Sequence, residues 1–181
     1  LEQALAHFSE TVRLRPDYAD AHYSMAVILA RQNKFEEAIS HYSQALRANP
    51  NYVEAHNNLG VALFSLGELD KAIEHYRTAL ELDPNFGKAH NNLGNALIQK
   101  GKLNEAIAHY SRALEIRPNY PEAHNNLGVV LARQGKIDAA IVQFERALQL
   151  KPGYAQARVN LDLALEMASN TRDQSKSSSA P

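Results

Sequence analysis

Histidine is the side chain with the most chemical potential in this chain, because it recurs at separations that alternate between 15 and 19 residues. Histidine can ligate a metal or transfer a proton near neutral pH. Two ligands on one helix usually stand three or four residues apart, and no two histidines here do. A catalytic residue normally occurs once, whereas these recur, so the pattern predicts structural histidines, no metal site and no cofactor. The eight are His7, His22, His41, His56, His75, His90, His109 and His124.

Asparagine also recurs, in a column with one member per interval. A primary amide donates and accepts hydrogen bonds, so the column could pair with the backbone of a bound peptide whatever its side chains. Alternatively, each asparagine ties adjacent helices together through backbone carbonyls. The sequence leaves both open, although asparagine is a mediocre helix former and its recurrence needs a reason. The column is Asn58, Asn92, Asn126 and Asn160, and Asn57, Asn91 and Asn125 precede three of its members.

Catalytic motifs are not found. The chain has no glycine-rich phosphate loop, no nucleophile elbow and no serine or cysteine set against a single histidine. Carboxylates such as Glu36, Asp70 and Glu105 stand where helices are predicted to begin, and there they favour the helix dipole. We therefore expect a protein that is not an enzyme.

Five prolines spaced 34 residues apart define the elements that carry these side chains. Each interval reads as a first helix, a turn residue and a second helix, as in Ala55–Ser65, Gly67 and Leu69–Leu82. The turn residues Gly67, Gly101, Gly135 and Asn33 suit a left-handed backbone. The predicted parts are a half repeat with a second helix only (1–18), repeats 19–52, 53–86, 87–120 and 121–154, a capping helix (155–168) and a disordered tail (169–181).

Small and aromatic residues recur where helices should pack. Ala26, Gly60, Gly94 and Gly128 lie midway along the first helices, where we expect a second helix to approach closely. The aromatic series on the second helices is expected to fill the space between repeats. Its members are Tyr42, Tyr76, Tyr110 and Phe144.

The composition argues against several classes of binding partner. Nineteen basic residues face 20 acidic ones, for a net charge of -1, which argues against nucleic acid or an anionic membrane surface. There is no cysteine, hence no disulfide or thiolate site. No apolar run approaches the roughly 20 residues of a membrane span. We expect a soluble segment, with the cytoplasm slightly favoured and any targeting sequence outside the segment.

The repeated pattern A-H-N-N-L-G-x-x-L-x-x-x-G-x-x-x-x-A-I-x-x-Y-x-x-A-L-x-x-x-P resembles the tetratricopeptide repeat (TPR) family over residues 1–168. His22, His56, His90 and His124 stand where that family often has an aromatic residue. The resemblance implies an all-α, right-handed superhelical solenoid of antiparallel helix pairs whose first helices line a concave groove. It implies protein binding as the function. The 34-residue period and the lack of basic excess separate the chain from the 35-residue repeats that read RNA.

The groove that the resemblance implies is neutral and rich in amides. The asparagine column is similar to that of the O-GlcNAc transferase repeats, which implies binding of an extended peptide through main-chain hydrogen bonds. Apolar side chains among the amides favour a ligand with one or two apolar anchors, extended or helical. The predicted groove residues are Asn57, Asn58, Val61, Phe64, Asn91, Asn92, Asn95, Ile98, Asn125, Asn126, Val129 and Asn160.

Other functions compete with a peptide-binding scaffold. Lys88 is the only cation in its row of the groove and is flanked by Glu54 and Glu122, so we do not expect the clamp with which some TPR proteins hold acidic C-terminal tails. The segment could instead select substrates for, or assemble, a larger enzyme such as a glycosyltransferase. A third reading is a structural array that assembles head to tail through its terminal helices. The residues expected at that contact are Leu1, Leu5, Phe8, Leu161 and Leu165.

Overall fold

The computed structural model describes the backbone of residues 2–178 and the side chains of residues 3–170. Within those residues it contains ten α-helices and no strand. The chain divides into two compact units, residues 1–100 and residues 101–181. The first unit holds α1 (Glu2–Leu14), α2 (Ala19–Arg31), α3 (Phe35–Ala48), α4 (Val53–Ser65), α5 (Leu69–Leu82) and α6 (Gly87–Gln99). The second holds α7 (Leu103–Ile116), α8 (Pro121–Arg133), α9 (Ile137–Leu150) and α10 (Ala155–Ser178).

Left-handed turn residues separate the first helix of each repeat from the second. The backbone φ is 60° at Asn33, 78° at Gly67, 73° at Gly101 and 76° at Gly135, which confirms the predicted conformation. A glycine pays no Cβ penalty there, and asparagine tolerates it better than most residues. The turns are short enough that α2 packs on α3, α4 on α5, and α8 on α9. The predicted second helix Leu69–Leu82 matches α5, whereas α4 begins at Val53 instead of Ala55.

First helices also contact the first helix of the next repeat, with α2 against α4 and α4 against α6 in the first unit, and α8 against α10 in the second. Beneath them the predicted aromatic series is buried: Tyr42, Tyr76, Tyr110 and Phe144 are each at most 2% exposed. Gly60 lies against the ring of Tyr76 at such short range that a Cβ on Gly60 would come within 2.6 Å of Cε1. Gly128 meets Phe144 in the same way. At Gly60 and Gly128, the ring of the second helix therefore occupies the space that a side chain on the first helix would fill.

Helix α10 departs from the predicted ending. It runs from Ala155 to Ser178, whereas the sequence predicted a helix that ends at residue 168 and disorder from Ser169. No proline or glycine lies between Ala155 and Ser178 to end the helix. The high serine content that suggested disorder is compatible with continued helix. Residues 179–181 of the predicted tail lie outside the described residues.

In the part of the chain that the structure describes, no helix is long and apolar enough to cross a membrane.

Candidate functional site

The predicted groove residues lie on the first helices but differ in accessibility. Val61 is 39% exposed, and the side chains of Phe64, Ile98 and Val129 are half-buried. Half-buried side chains also include Asn95 and the column members Asn58, Asn92, Asn126 and Asn160.

Three predicted groove residues are too deeply buried to touch a ligand. The exposed fractions of Asn57, Asn91 and Asn125 are 3%, 5% and 3%. The helix periodicity turns the first asparagine of each pair toward the neighbouring repeat instead of toward solvent, so the structure does not expose these three predicted residues to a ligand.

The buried asparagines connect consecutive first helices through their side-chain amides. In the first unit, Nδ2 of Asn92 donates to Oδ1 of Asn57 at 2.9 Å, and Nδ2 of Asn57 donates to Oδ1 of Asn58 at 2.9 Å. Nδ2 of Asn58 in turn donates to the hydroxyl of Tyr23 at 3.0 Å. The three first helices of this unit are thus joined by a continuous chain of polar contacts.

The second unit repeats this connection between α8 and α10. Nδ2 of Asn160 donates to Oδ1 of Asn125 at 2.8 Å, and Nδ2 of Asn125 lies 3.5 Å from Oδ1 of Asn126. Buried amides are costly unless they are paired, and here each meets another amide. The tie between helices that the sequence suggested is therefore made by side-chain amides instead of backbone carbonyls. Asn58, Asn92 and Asn160 each commit one amide N–H to a first helix of the neighbouring repeat. Asn58 also hydrogen-bonds Tyr42, so the second N–H could reach a peptide at Asn92 and Asn160.

Two cavities open beside the column, one in each unit, and equivalent residues line them. The cavity of about 250 Å³ in the first unit lies among α2, α3 and α4. The cavity of about 290 Å³ in the second unit lies among α8, α9 and α10. Seven positions that are three 34-residue repeats apart in the sequence occur in both linings. In the first unit they are Val27, Ala30, Arg31, Tyr42, Asn58, Val61 and Ala62; in the second they are Val129, Ala132, Arg133, Phe144, Asn160, Leu163 and Ala164.

Each cavity combines an apolar wall with an amide and a guanidinium. Burial raises the pKa of Tyr42, so its phenol stays neutral in the wall of the first cavity. The groove residues predicted from the sequence do not include the arginines, because the prediction stopped at the position of Phe64 and Ile98, one residue before theirs in each first helix. The signal was available: Arg31 and Arg133 hold the same repeat position, at which Ser65 and Gln99 stand in between.

The histidines form contacts that local spacing could not reveal. In the first unit Nδ1 of His22 lies 3.1 Å from Nδ1 of His41, and His56 and His75 repeat this distance. Nε2 of His22 lies 3.0 Å from the carbonyl oxygen of Pro16 and must donate to it. Nδ1 of neutral His22 is then the acceptor, and Nδ1–H of His41 donates. In the second unit His124 meets Gln143 instead, with Nδ1 and Oε1 2.8 Å apart.

These histidine pairs should make the first unit less stable at low pH than at neutral pH. Burial, and then the neighbouring His22, lower the pKa of His41 from its ordinary value of 6.5, against a smaller opposing effect of Glu37. Burial and His56 lower the pKa of His75 in the same way, opposed by Glu74. Folded protein then binds the proton more weakly than unfolded protein, so stability is complete above about pH 6.5 and declines as the pH falls below it. Urea unfolding followed by circular dichroism between pH 7.5 and 5 measures the decline.

A His41→Gln/His75→Gln variant should lose most of that pH dependence. Gln143 holds the equivalent position in the second unit, and an amide can present either a donor or an acceptor to the facing ring. His7→Gln, at an exposed position, is the control. A double variant with the same pH slope as the unchanged chain would show that the pairs do not cause it.

The side chains predicted to mediate head-to-tail contact are not equally available. Leu161 is 7% exposed and packs in a cluster with Phe144, so little of its side chain is accessible to a second copy. Leu165 is 47% exposed, Leu5 and Phe8 are half-buried, and Leu1 lies outside the described side chains.

Asp162 opposes the docking of a further second helix on α10. It occupies the position of Gly60 and Gly128, where a built Cβ would come within 2.6 Å of an aromatic ring, and of the buried Ala26, whose methyl group is the largest side chain there in the earlier repeats. The aspartate is exposed, and burying its charge under a ring would be costly. The face of α10 therefore differs from those of α4 and α8 at the position against which the aromatic ring of a second helix packs.

Family models cover most of the chain. Models described as tetratricopeptide repeat match residues 1–51 and 25–86, residues 75–108 and residues 121–154. A model described as TPR repeat matches residues 94–135. No curated protein matches the chain.

Solved structures share the fold. YrrB, described as a TPR protein with an unusual peptide-binding site, is 24% identical over 90% of this chain and 84% of its own, with a TM-score of 0.73. A MamA protein is 29% identical over 86% of this chain and 85% of its own, also with a TM-score of 0.73. The Cut9–Hcn1 hetero-tetramer structure of the APC/C gives a TM-score of 0.83 at 23% identity, over 92% of this chain but 34% of the matched one. The chain thus has the all-α fold of a repeat solenoid.

Proposed function

We propose, on the premise that the chain belongs to the tetratricopeptide repeat family, that it is a non-catalytic scaffold whose first helices hold a peptide segment of a partner protein. The observation that carries the proposal is the pair of equivalent cavities on the first-helix face of the two units. A groove that mixes apolar anchor sites with a few hydrogen-bonding groups is typical of peptide recognition. The peptide-binding site of YrrB, a protein of similar fold, supports the same proposal.

The charge of the surface supports a protein partner over a polyanion. The chain has nearly equal numbers of acidic and basic residues, and the column on the first helices consists of neutral amides. An extended peptide could take hydrogen bonds from the second N–H of Asn92 and Asn160 while an apolar side chain enters the cavity that Asn160 lines. Each of these asparagines would then donate one N–H to the neighbouring first helix and the other to the ligand.

Affinity capture from a lysate of the source tests the proposal. The bait is the whole chain, compared with a groove variant carrying Phe64→Ser, Ile98→Ser and Val129→Ser, all of which are half-buried positions on first helices. We expect the partners that the unchanged chain captures to fall at least tenfold with the variant, because each lost apolar anchor costs about 1 kcal/mol or more.

The control is Val142→Ser, which also removes an apolar side chain, but from the second helix α9 and at a position that is 57% exposed. It should retain the partners. Equal loss from control and groove variant, or equal retention by both, would contradict the placement of the site on the first helices. Circular dichroism spectra verify that all three proteins remain helical.

A further inference from the structure

The two cavities share a basic group as well as an apolar wall. Arg31 lies in the last turn of α2 and Arg133 in the last turn of α8, and each contributes to the lining of its cavity. Both side chains are exposed at the cavity edge. The first unit and the second unit therefore present the same combination of chemistry, each on its own.

Neither arginine is neutralised by the protein. Among the side chains that the structure describes, no carboxylate lies within ion-pair distance of Arg31 or Arg133, whereas other cations have such partners, for example Lys100 with Asp70 at 2.7 Å and Lys151 with Glu122 at 3.1 Å. A guanidinium offers five N–H donors in a planar fork that matches a carboxylate. Arg31 and Arg133 are thus available to an external anion.

Two first helices, α2 and α8, carry a carboxylate in the first turn and an arginine in the last turn. Asp20 and Glu54 stand in the first turns of α2 and α4, and Glu122 stands in the first turn of α8. Arg31 and Arg133 stand 11 residues after Asp20 and Glu122, about 16.5 Å away at 1.5 Å per residue. In the first unit a ligand carboxylate would be repelled by Asp20 and Glu54 and attracted to Arg31, which favours an acidic residue at the cavity end. In the second unit Glu122 is paired with Lys151, so Arg133 supplies the attraction without that repulsion.

We infer that each cavity binds an aliphatic side chain of the partner peptide while Arg31 or Arg133 binds the carboxylate of an aspartate or glutamate close to it in the peptide. This inference rests on the proposed function and adds the chemistry of the partner. Val27, Val61 and Tyr42 form the apolar contact in the first unit, and Val129, Leu163 and Phe144 form it in the second. Ser65 and Gln99 at the intervening repeat positions carry no charge, so the acidic residue is read only where the arginine is present.

Selection from a phage-displayed library of random dodecapeptides tests the inference with the whole chain as target. We expect the enriched peptides to carry Leu, Ile, Val or Met within two residues of Asp or Glu. Enriched peptides are then synthesised with a fluorophore, and their binding is measured by fluorescence anisotropy. An Arg31→Gln/Arg133→Gln variant should bind them about three- to tenfold more weakly, and the difference should shrink as salt is added.

The matched control is Arg47→Gln/Arg77→Gln, which removes the same two charges from exposed positions on the second helices α3 and α5. It should bind as the unchanged chain does. Enriched peptides without acidic residues, or equal binding by the two double variants, would overturn the inference. If such peptides still lose affinity with the Phe64→Ser/Ile98→Ser/Val129→Ser variant, the peptide-binding function stands and only the acidic preference fails. If no peptide is enriched, both fail.

Discussion

Replacement of Gly60 by leucine should lower the free energy of unfolding by about 3 kcal/mol, the upper end of the usual cost of overpacking a core. A Cβ at Gly60 would lie 2.6 Å from Cε1 and 2.8 Å from Cδ1 of Tyr76. Tyr76 is only 1% exposed, so its ring cannot swing into solvent to make room. The larger leucine side chain must push α4 away from α5. Urea unfolding followed by circular dichroism at 222 nm measures the loss.

Gly153→Leu is the matched control for this prediction. No atom lies within 4 Å of a Cβ built on Gly153, and the residue is exposed in the loop before α10. The control should therefore change stability by less than about 0.5 kcal/mol. Unfolding of Gly60→Leu at the urea concentration of the unchanged chain would mean that the repeats do not depend on close approach at this position.

Loss of the buried amide of Asn57 should cost about 2 kcal/mol in an Asn57→Ala variant. The substitution removes the acceptor for Nδ2 of Asn92 and the donor to Oδ1 of Asn58, and it leaves a small void at a position that is 3% exposed. Asn92 and Asn58 are half-buried, so water replaces only part of what each loses. The measurement is again urea unfolding.

A double-mutant cycle separates the contact between helices from the general cost of the substitution. Asn57→Ala and Asn92→Ala should show a coupling energy of about 1 kcal/mol, because each removes the same hydrogen bond. Asn51→Ala, at an exposed position in the loop before α4, is the control and should be nearly neutral. Additive effects of the two substitutions would show that the hydrogen bond between them contributes nothing.

Features that depend on one repeat were predictable from the sequence. The turn at Gly67 follows from the backbone freedom of glycine. Asn33 could be assigned to the equivalent turn of the preceding repeat, because asparagine tolerates the same conformation. The burial of Tyr76 and its close approach by Gly60 follow from the helix periodicity and from the alternation of small and aromatic residues. These features depend on local geometry, which a strict 34-residue period repeats without change.

Features that depend on contact between repeats were not predictable. Asn92 and Asn57 belong to neighbouring repeats and meet across 35 residues, so this partnership could not be read from local spacing. The same holds within one repeat for His22 and His41, which lie on two helices and 19 residues apart. The sequence identified both polar series as important but could not tell which asparagine of each pair is buried. The sequence shows that Arg31 and Arg133 share a repeat position, but not that each lies at the edge of a cavity, because residues from three helices enclose it.

Site-specific photo-cross-linking tests the central claim most directly, because it reports which face of the repeats touches the partner. Benzoylphenylalanine is placed at Phe64 on a first helix or at Val142 on a second helix, and each protein is irradiated in lysate of the source. We expect a covalent adduct with a partner protein from position 64 and none from position 142, with the attachment point in an extended segment of the partner. Adducts from position 142 but not from position 64 would contradict the claim.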